Sequence, residues 1–295
     1  MRPKKLIVVL TLAVLTASVV TAQSGYQHGK PGQEPGEWTV PDCDRVTGSP
    51  VLTFTTDEGL SVAETGFLKG TVYAYGLASL DVGSTLLAAT MTYTGTSILK
   101  SQDAGCSWHP VTTLPESALL LLTAAPGGGA YGWERRRNVF YRIEGDEVIR
   151  LVAPVDILGL AVNPDDASHI RIGTYDCQLY ESFDGGVSFS YLGGPANSGS
   201  TTFYTVEFNP SNWDCALCGG KGAWRTDDAG STWSDIEPFD LEDIDLVYLF
   251  EFSEGDPNRV WARSNLETMG ENIRCILTSD DGGRTFTNVL QQGAQ

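Results

Sequence analysis

Positive charge, histidine and helical periodicity are scarce in this sequence of 295 residues. Lysine and arginine number 19 against 37 aspartates and glutamates, and no arginine occurs between Arg45 and Arg135. A surface of that sign repels nucleic acid and anionic membranes, which excludes partners of those two classes. Histidine occurs three times, as His28, His109 and His169, and none stands beside a cysteine pair at metal-ligand spacing. No G-x-S-x-G, H-E-x-x-H or phosphate-cradling glycine loop appears, so the commonest hydrolase, metalloprotease and nucleotide signatures are absent. Neither a metal nor an organic cofactor is expected. No apolar run beyond the N-terminus is long enough to cross a bilayer, for which about 20 residues are needed.

What the N-terminus holds is Arg2, Lys4 and Lys5 ahead of an apolar run from Leu6 to Val20, closing on small residues at Ala22. This reads as a secretory signal peptide, residues 1–22, cut after Ala22, where no cysteine stands to take a lipid. Residues 23–50, rich in Gly, Pro and Gln, read as a flexible leader. The mature chain is expected to be exported, extracellular or periplasmic, with no membrane insertion. Without the signal peptide's three cations, 16 positive charges face 37 negative ones, a balance of about −21. Cys43, Cys106, Cys177, Cys215, Cys218 and Cys275 all lie in the mature part, where an oxidising compartment favours disulfides, although six cysteines allow fifteen pairings. Cys215 and Cys218 form a C-x-x-C set among strand and glycine signals rather than at a helix start, so structural bonding is expected there rather than redox chemistry.

Short runs of β-branched and aromatic residues alternate with glycine-rich turns, the pattern of an all-β chain. The turns themselves repeat. "SQDAGCSW" from Ser101, "SFDGGVSF" from Ser182, "TDDAGSTW" from Thr226 and "SDDGGRTF" from Ser279 all fit S/T-x-D-x-G-x-S/T-W/F. A fifth copy, "TTDEGLSV" from Thr55, keeps Asp57 but has Val62 in place of the aromatic. The aspartates Asp57, Asp103, Asp184, Asp228 and Asp281 are separated by 46, 81, 44 and 53 residues, and the long gap holds a degenerate copy at Glu144. A period of about 40 to 50 residues with four strands per unit is the signature of a propeller.

The repeated motif resembles the Asp-box, or BNR repeat, of sialidase-like β-propellers, over roughly residues 51–290. The resemblance implies a β-propeller of about six four-stranded blades with Asp-box turns. Closure is incomplete on this reading, because the first unit shows only its third and fourth strands at about residues 51–65. Either "EWTVPDCDRV" from Glu37 completes that blade, or the ring is open, or the chain is shortened. In each box the aspartate accepts backbone N–H groups of its own turn. Gly105, Gly186, Gly230 and Gly283 permit positive φ, and Trp108, Phe189, Trp233 and Phe286 bury against the neighbouring sheet. One carboxylate per blade is too dispersed for calcium, which takes six to eight oxygens, so the boxes are structural.

The resemblance extends to sialidases, xyloglucan-cleaving glycosidases, sortilin-type receptors and photosystem assembly factors, and a shared fold does not select among them. It places any active centre on the face away from the boxes, at the second turns and the blade-to-blade links. There "GWERRRN" stands out in so acidic a chain: Arg135, Arg136 and Arg137 suit a carboxylate, sulfate or phosphate, Trp133 is available for stacking, and Tyr175 sits in the next blade's second turn. The family's F/Y-R-I-P motif survives only as "YRIE" at Tyr141, without the proline, which argues against sialidase activity. The expectation is a secreted, non-enzymatic scaffold that binds a protein or glycan. The alternative is a glycoside hydrolase, using carboxylates such as Asp240, Glu242, Asp243, Asp245 and Glu267 on that face.

Overall fold

The computed structural model describes residues 53–54, 63–64, 68, 70–80, 85–115, 118–195, 203–236, 244–253, 256–268 and 271–292. The signal peptide, the leader and the turn at Asp57 lie outside them. Every regular element among the described residues is a β-strand. β1 (Thr53–Phe54) pairs with β2 (Ala63–Glu64). Five four-stranded antiparallel sheets follow, each with neighbours in chain order. The first holds β3 (Tyr73–Ser79), β4 (Leu86–Thr92), β5 (Gly95–Ser101) and β6 (His109–Leu114). The second holds β7 (Leu121–Ala125), β8 (Gly129–Trp133), β9 (Arg137–Glu144) and β10 (Glu147–Ile157). The third holds β11 (Gly159–Asn163), β12 (Asp166–Gly173), β13 (Leu179–Ser182) and β14 (Ser190–Gly193). The fourth holds β15 (Phe203–Phe208), β16 (Ala216–Gly220), β17 (Gly222–Thr226) and β18 (Ser234–Asp235). The last holds β19 (Ile244–Ser253), β20 (Asp256–Thr268), β21 (Glu271–Ser279) and β22 (Thr287–Gln292). The chain divides into two compact units: residues through Glu134 with Val139–Leu151, and Arg135–Asn138 with Val152 onward.

The inner strands are apolar on both faces, because successive side chains point to opposite sides of a sheet that is covered twice. In the first unit Leu77, Leu86, Ala88 and Leu99 pack with Leu68. Their neighbours Ala78, Leu87, Ala89 and Ile98 pack instead with Leu120, Leu122 and Ile143. In the second unit Cys215 and Leu217 join Phe250, Phe252 and Val260, while Ala216 and Cys218 join Leu179, Phe203 and Val206. Fully burying a leucine or phenylalanine contributes about 1.5–3 kcal/mol, so these layers hold neighbouring sheets together within each unit. Close stacking needs a missing side chain: a Cβ on Gly219 would lie 2.8 Å from the Phe250 ring and 2.9 Å from Val247.

Cys177, in the turn after β12, is disulfide-bonded to Cys218 on β16, with Cα atoms 6.2 Å apart. Cys106 is also in a disulfide. The two halves of the C-x-x-C set are therefore not joined to each other. They belong to different core layers on the two sides of β16, and burial pushes the Cys215 thiol up to about 11. A thiol that resists ionisation is inert towards exchange.

Candidate functional site

The two ends of the sheets are built differently. At one end stand the acidic turns after β5, β13, β17 and β21, and their hydrogen bonding is the same four times over. The hydroxyls of Ser101, Ser182, Thr226 and Ser279 donate to Asp103, Asp184, Asp228 and Asp281 at 2.6–2.9 Å. Each hydroxyl also accepts the N–H of Gly105, Gly186, Gly230 or Gly283 at 2.8–2.9 Å. These glycines sit at φ of 89–91°, where a Cβ would clash with the backbone. The second oxygen of each aspartate takes the hydroxyl of Ser107, Ser188, Thr232 or Thr285 at 2.5–2.6 Å. All four carboxyls are held below their ordinary value. For Asp184 the Ser188 hydroxyl is the main cause. For Asp281, burial opposes ionisation but bonds from Ser279 and Thr285 outweigh it and bring the carboxyl to about 2. Carboxylates this fully occupied are pins for a turn.

Of the aromatics that follow the boxes, Phe286 is buried, 5.6 Å from the Phe250 ring. Trp108, Phe189 and Trp233 are only half-buried, because each lies at a sheet margin beside its own turn; the Trp233 indole N–H donates to the Gly230 carbonyl at 3.0 Å. The turn at Glu144 is a two-residue hairpin through Gly145 and Asp146, and Glu144 pairs with Arg142 at 3.0 Å instead of pinning the loop.

At the opposite end of the second unit's sheets, arginine and tyrosine meet. Arg136, at φ 66°, lies in the turn between β8 and β9, and its Nε donates to the Tyr175 hydroxyl at 3.1 Å with the guanidinium 5.2 Å from the ring centroid. Arg135 is half-buried and donates through Nη1 to the Tyr204 carbonyl at 3.2 Å, while its Nε, out of reach of water, has no partner among the described residues. Burial pushes its guanidinium down, with Tyr175 and Glu207 opposing. Tyr204 on β15 lies 5.3 Å from Tyr248 on β19, which receives Asn265 Nδ2 at 3.3 Å and has the Arg263 guanidinium 5.9 Å from its ring centroid. The Tyr175 turn is fixed by the disulfide at Cys177 and by Phe203 N–H donating to the Tyr175 carbonyl at 3.0 Å.

The structure brings Arg135, Arg136 and Tyr175 together, with Arg137 exposed at the start of β9. It does not bring Trp133 with them. That ring is 6% exposed and its N–H donates to Thr123 Oγ1 at 3.1 Å, so it serves the core of the first unit and is not a stacking platform. Tyr204, Tyr248 and Arg263 went unrecognised in the sequence. One signal was available: Tyr204 and Tyr248 are 44 residues apart, the same step as Asp184 to Asp228. Asp240, Glu242 and Asp243 lie outside the described residues, as do the side chains of Asp245 and Glu267. Among the described residues no group of three or more His, Cys, Asp or Glu is placed to hold a metal.

A second polar cluster lies nearer the acidic turns. Glu181 accepts from Arg171 at 2.8 Å and stands 2.7 Å from His169 Nε2. Arg171 also lies over the Trp213 ring, 4.9 Å from its centroid, and bonds the Trp213 carbonyl. Burial opposes ionisation of Glu181, but His169 and Arg171 hold its carboxyl down. With both members of the ion pair at most a tenth exposed, this is a satisfied internal network.

No family model matches the chain. It is 37% identical over 186 residues to a Streptomyces mobaraensis protein named dispase autolysis-inducing protein, a match over 62% of this chain and 48% of that one. The chain thus spans about half the length of the curated relative it matches. Among solved structures it is similar to YCF48 bound to D1 peptide, at TM-score 0.55 and 16% identity, over 74% of this chain and 69% of that one. It is also similar to the GH74 enzyme of Niastella koreensis, at TM-score 0.55 and 16% identity, over 81% of this chain and 35% of the enzyme. Both are β-propellers, and the four-stranded meanders seen here are sheets of that fold.

Proposed function

We propose that the chain is an exported, non-enzymatic Asp-box propeller that binds a protein partner through the Arg135, Arg136 and Tyr175 face. The observation that carries this reading is the Arg135 guanidinium, drawn out of water with its Nε donor unmatched. A buried donor left without an acceptor costs about 1–3 kcal/mol, a cost offset when binding shifts the turn enough for a ligand's carboxylate or carbonyl to reach it. Arg136 on the Tyr175 ring offers a second cation already oriented. A protein rather than a glycan is favoured by the name of the Streptomyces mobaraensis relative, which concerns an enzyme that digests itself. On this reading the four pinned turns are boxes of a six-unit repeat over residues 51–290, and residues 1–22 are removed on export.

The test is to incubate the purified mature protein with dispase and follow complex formation and the rate of dispase autolysis. Binding with faster autolysis, both lost in an Arg135→Met, Arg136→Ala, Tyr175→Ala variant of unchanged circular dichroism, is the expected result. Binding untouched by those substitutions would move the site elsewhere. In parallel, a glycan panel read by mass spectrometry should return no cleavage products; their appearance would put the hydrolase reading in its place.

A further inference from the structure

One acidic turn differs from its three copies. The variable positions on either side of the D-x-G core are Gln102 and Cys106, Asp227 and Ser231, and Asp280 and Arg284, but in the turn after β13 they are Phe183 and Val187. Both point outward, Phe183 being 65% and Val187 68% exposed. Neither is needed to make the turn, since the other copies form the same hydrogen bonds with other side chains there. Apolar side chains scattered singly over a surface are ordinary, so what matters here is that two stand on one rigid turn.

The support here is rigid. The Phe183 ring stacks on His169 at 4.4 Å, and His169 is tied to Glu181. The turn is pinned by Asp184, and Gly185 N–H donates to the Ser168 carbonyl at 2.8 Å, joining it to the start of β12 beside the turn between β11 and β12. That neighbouring turn exposes Asp165 and Asp166, and the turn after β15 exposes Asp214. The cation reaching this end, Arg171, is 6% exposed and shared between Glu181 at 2.8 Å and Asp214 at 3.6 Å. The apolar pair is thus set beside Asp165 and Asp166, which make no ion pair among the described residues, with Asp214 already shared with Arg171.

We propose that this end of the third sheet is a docking surface for a cationic protein segment, an apolar side chain flanked by lysine or arginine. The apolar chain seats on Phe183 and Val187, and the flanking cations meet Asp165 and Asp166. The surface is separate from the arginine–tyrosine face. Their turns flank β13, whose four residues span about 13 Å, so two partner molecules could be engaged at once.

Fluorescence anisotropy with a labelled hexapeptide of alternating lysine and leucine tests this on the mature protein. Saturable binding is expected, weakened at least tenfold by Phe183→Gln with Val187→Ser. Gln102 and Ser231 hold those positions in sister turns, so the fold should be kept, as a melting curve will show. Asp165→Asn with Asp166→Asn should weaken binding several-fold and flatten its salt dependence, and gives a second measure should the first variant misfold. No binding, equal binding of an all-lysine or a glutamate–leucine hexapeptide, or indifference to both variants would overturn the proposal. So would sedimentation showing a dimer of the parent that the Phe183 variant abolishes, since the occupant would then be a second copy of the chain.

Discussion

Along the third, fourth and fifth sheets, one end is chemically finished and the other is not. At the acidic turns each carboxylate is met by hydroxyl and amide donors of its own loop, three times with the same geometry. At the arginine–tyrosine end, Arg135 has been taken out of water and left with a donor unmatched. Saturated polar groups stabilise a fold and have little left to give a ligand, whereas an unmatched donor carries its cost until a partner arrives. The contrast separates the charged residues that build the sheets from those available to recognise something.

Substitutions should sort along that line. The largest loss is expected at the internal network: Glu181→Gln leaves buried Arg171 with only the exposed Asp214, 3.6 Å away, as counter-ion and should cost about 3 kcal/mol in urea unfolding, with binding at the arginine face unchanged in the folded fraction. Asp281→Ala removes the acceptor for two hydroxyls and two backbone amides and should cost about 2 kcal/mol. Its pH dependence sharpens the assignment. The folded carboxyl sits at about 2 against an ordinary 3.8, so its contribution is full above the ordinary value and is lost as pH falls towards 2. The acid limb of a stability profile should therefore be shallower in Asp281→Ala. Arg135→Met should reverse the sign: equal or greater stability, by up to about 1 kcal/mol, with ligand affinity reduced at least tenfold. A large loss of stability there would erase the contrast. Smallest is Ala229→Gly. Ala229 sits at φ 59° where sister turns have Gly185 and Gly282, and relief of that conformation should raise stability by about 0.5 kcal/mol.

The acidic turns were legible in the sequence because everything that makes one lies within eight residues. The all-β class was legible for a similar reason, since strand and turn signals are local. Trp133 misled because strands covered on both faces give no alternation to show which side chains stay outside, and Thr123, which takes its indole proton, lies across a strand pair. The disulfide partner of Cys177 was hidden because sheet stacking chooses Cys218, 41 residues on, over the four other cysteines. Arg135 and Arg136 stood out by composition. Tyr204, Tyr248 and Arg263 come from three strands and converge only when adjacent sheets pack, which no local pattern reports.

The Cys177–Cys218 bond also bears on how this protein must be made. It rivets the Tyr175 turn to a neighbouring sheet at the edge of the arginine–tyrosine face, while the apolar layers on either side of β16 do not depend on it. A reducing cytosol would yield a protein that passes as folded by far-ultraviolet spectroscopy yet holds the Tyr175 turn loosely. Production in an oxidising compartment is thus a condition for a meaningful binding assay, and a weak result from cytosolic material would measure the host's thiol chemistry rather than the protein's affinity.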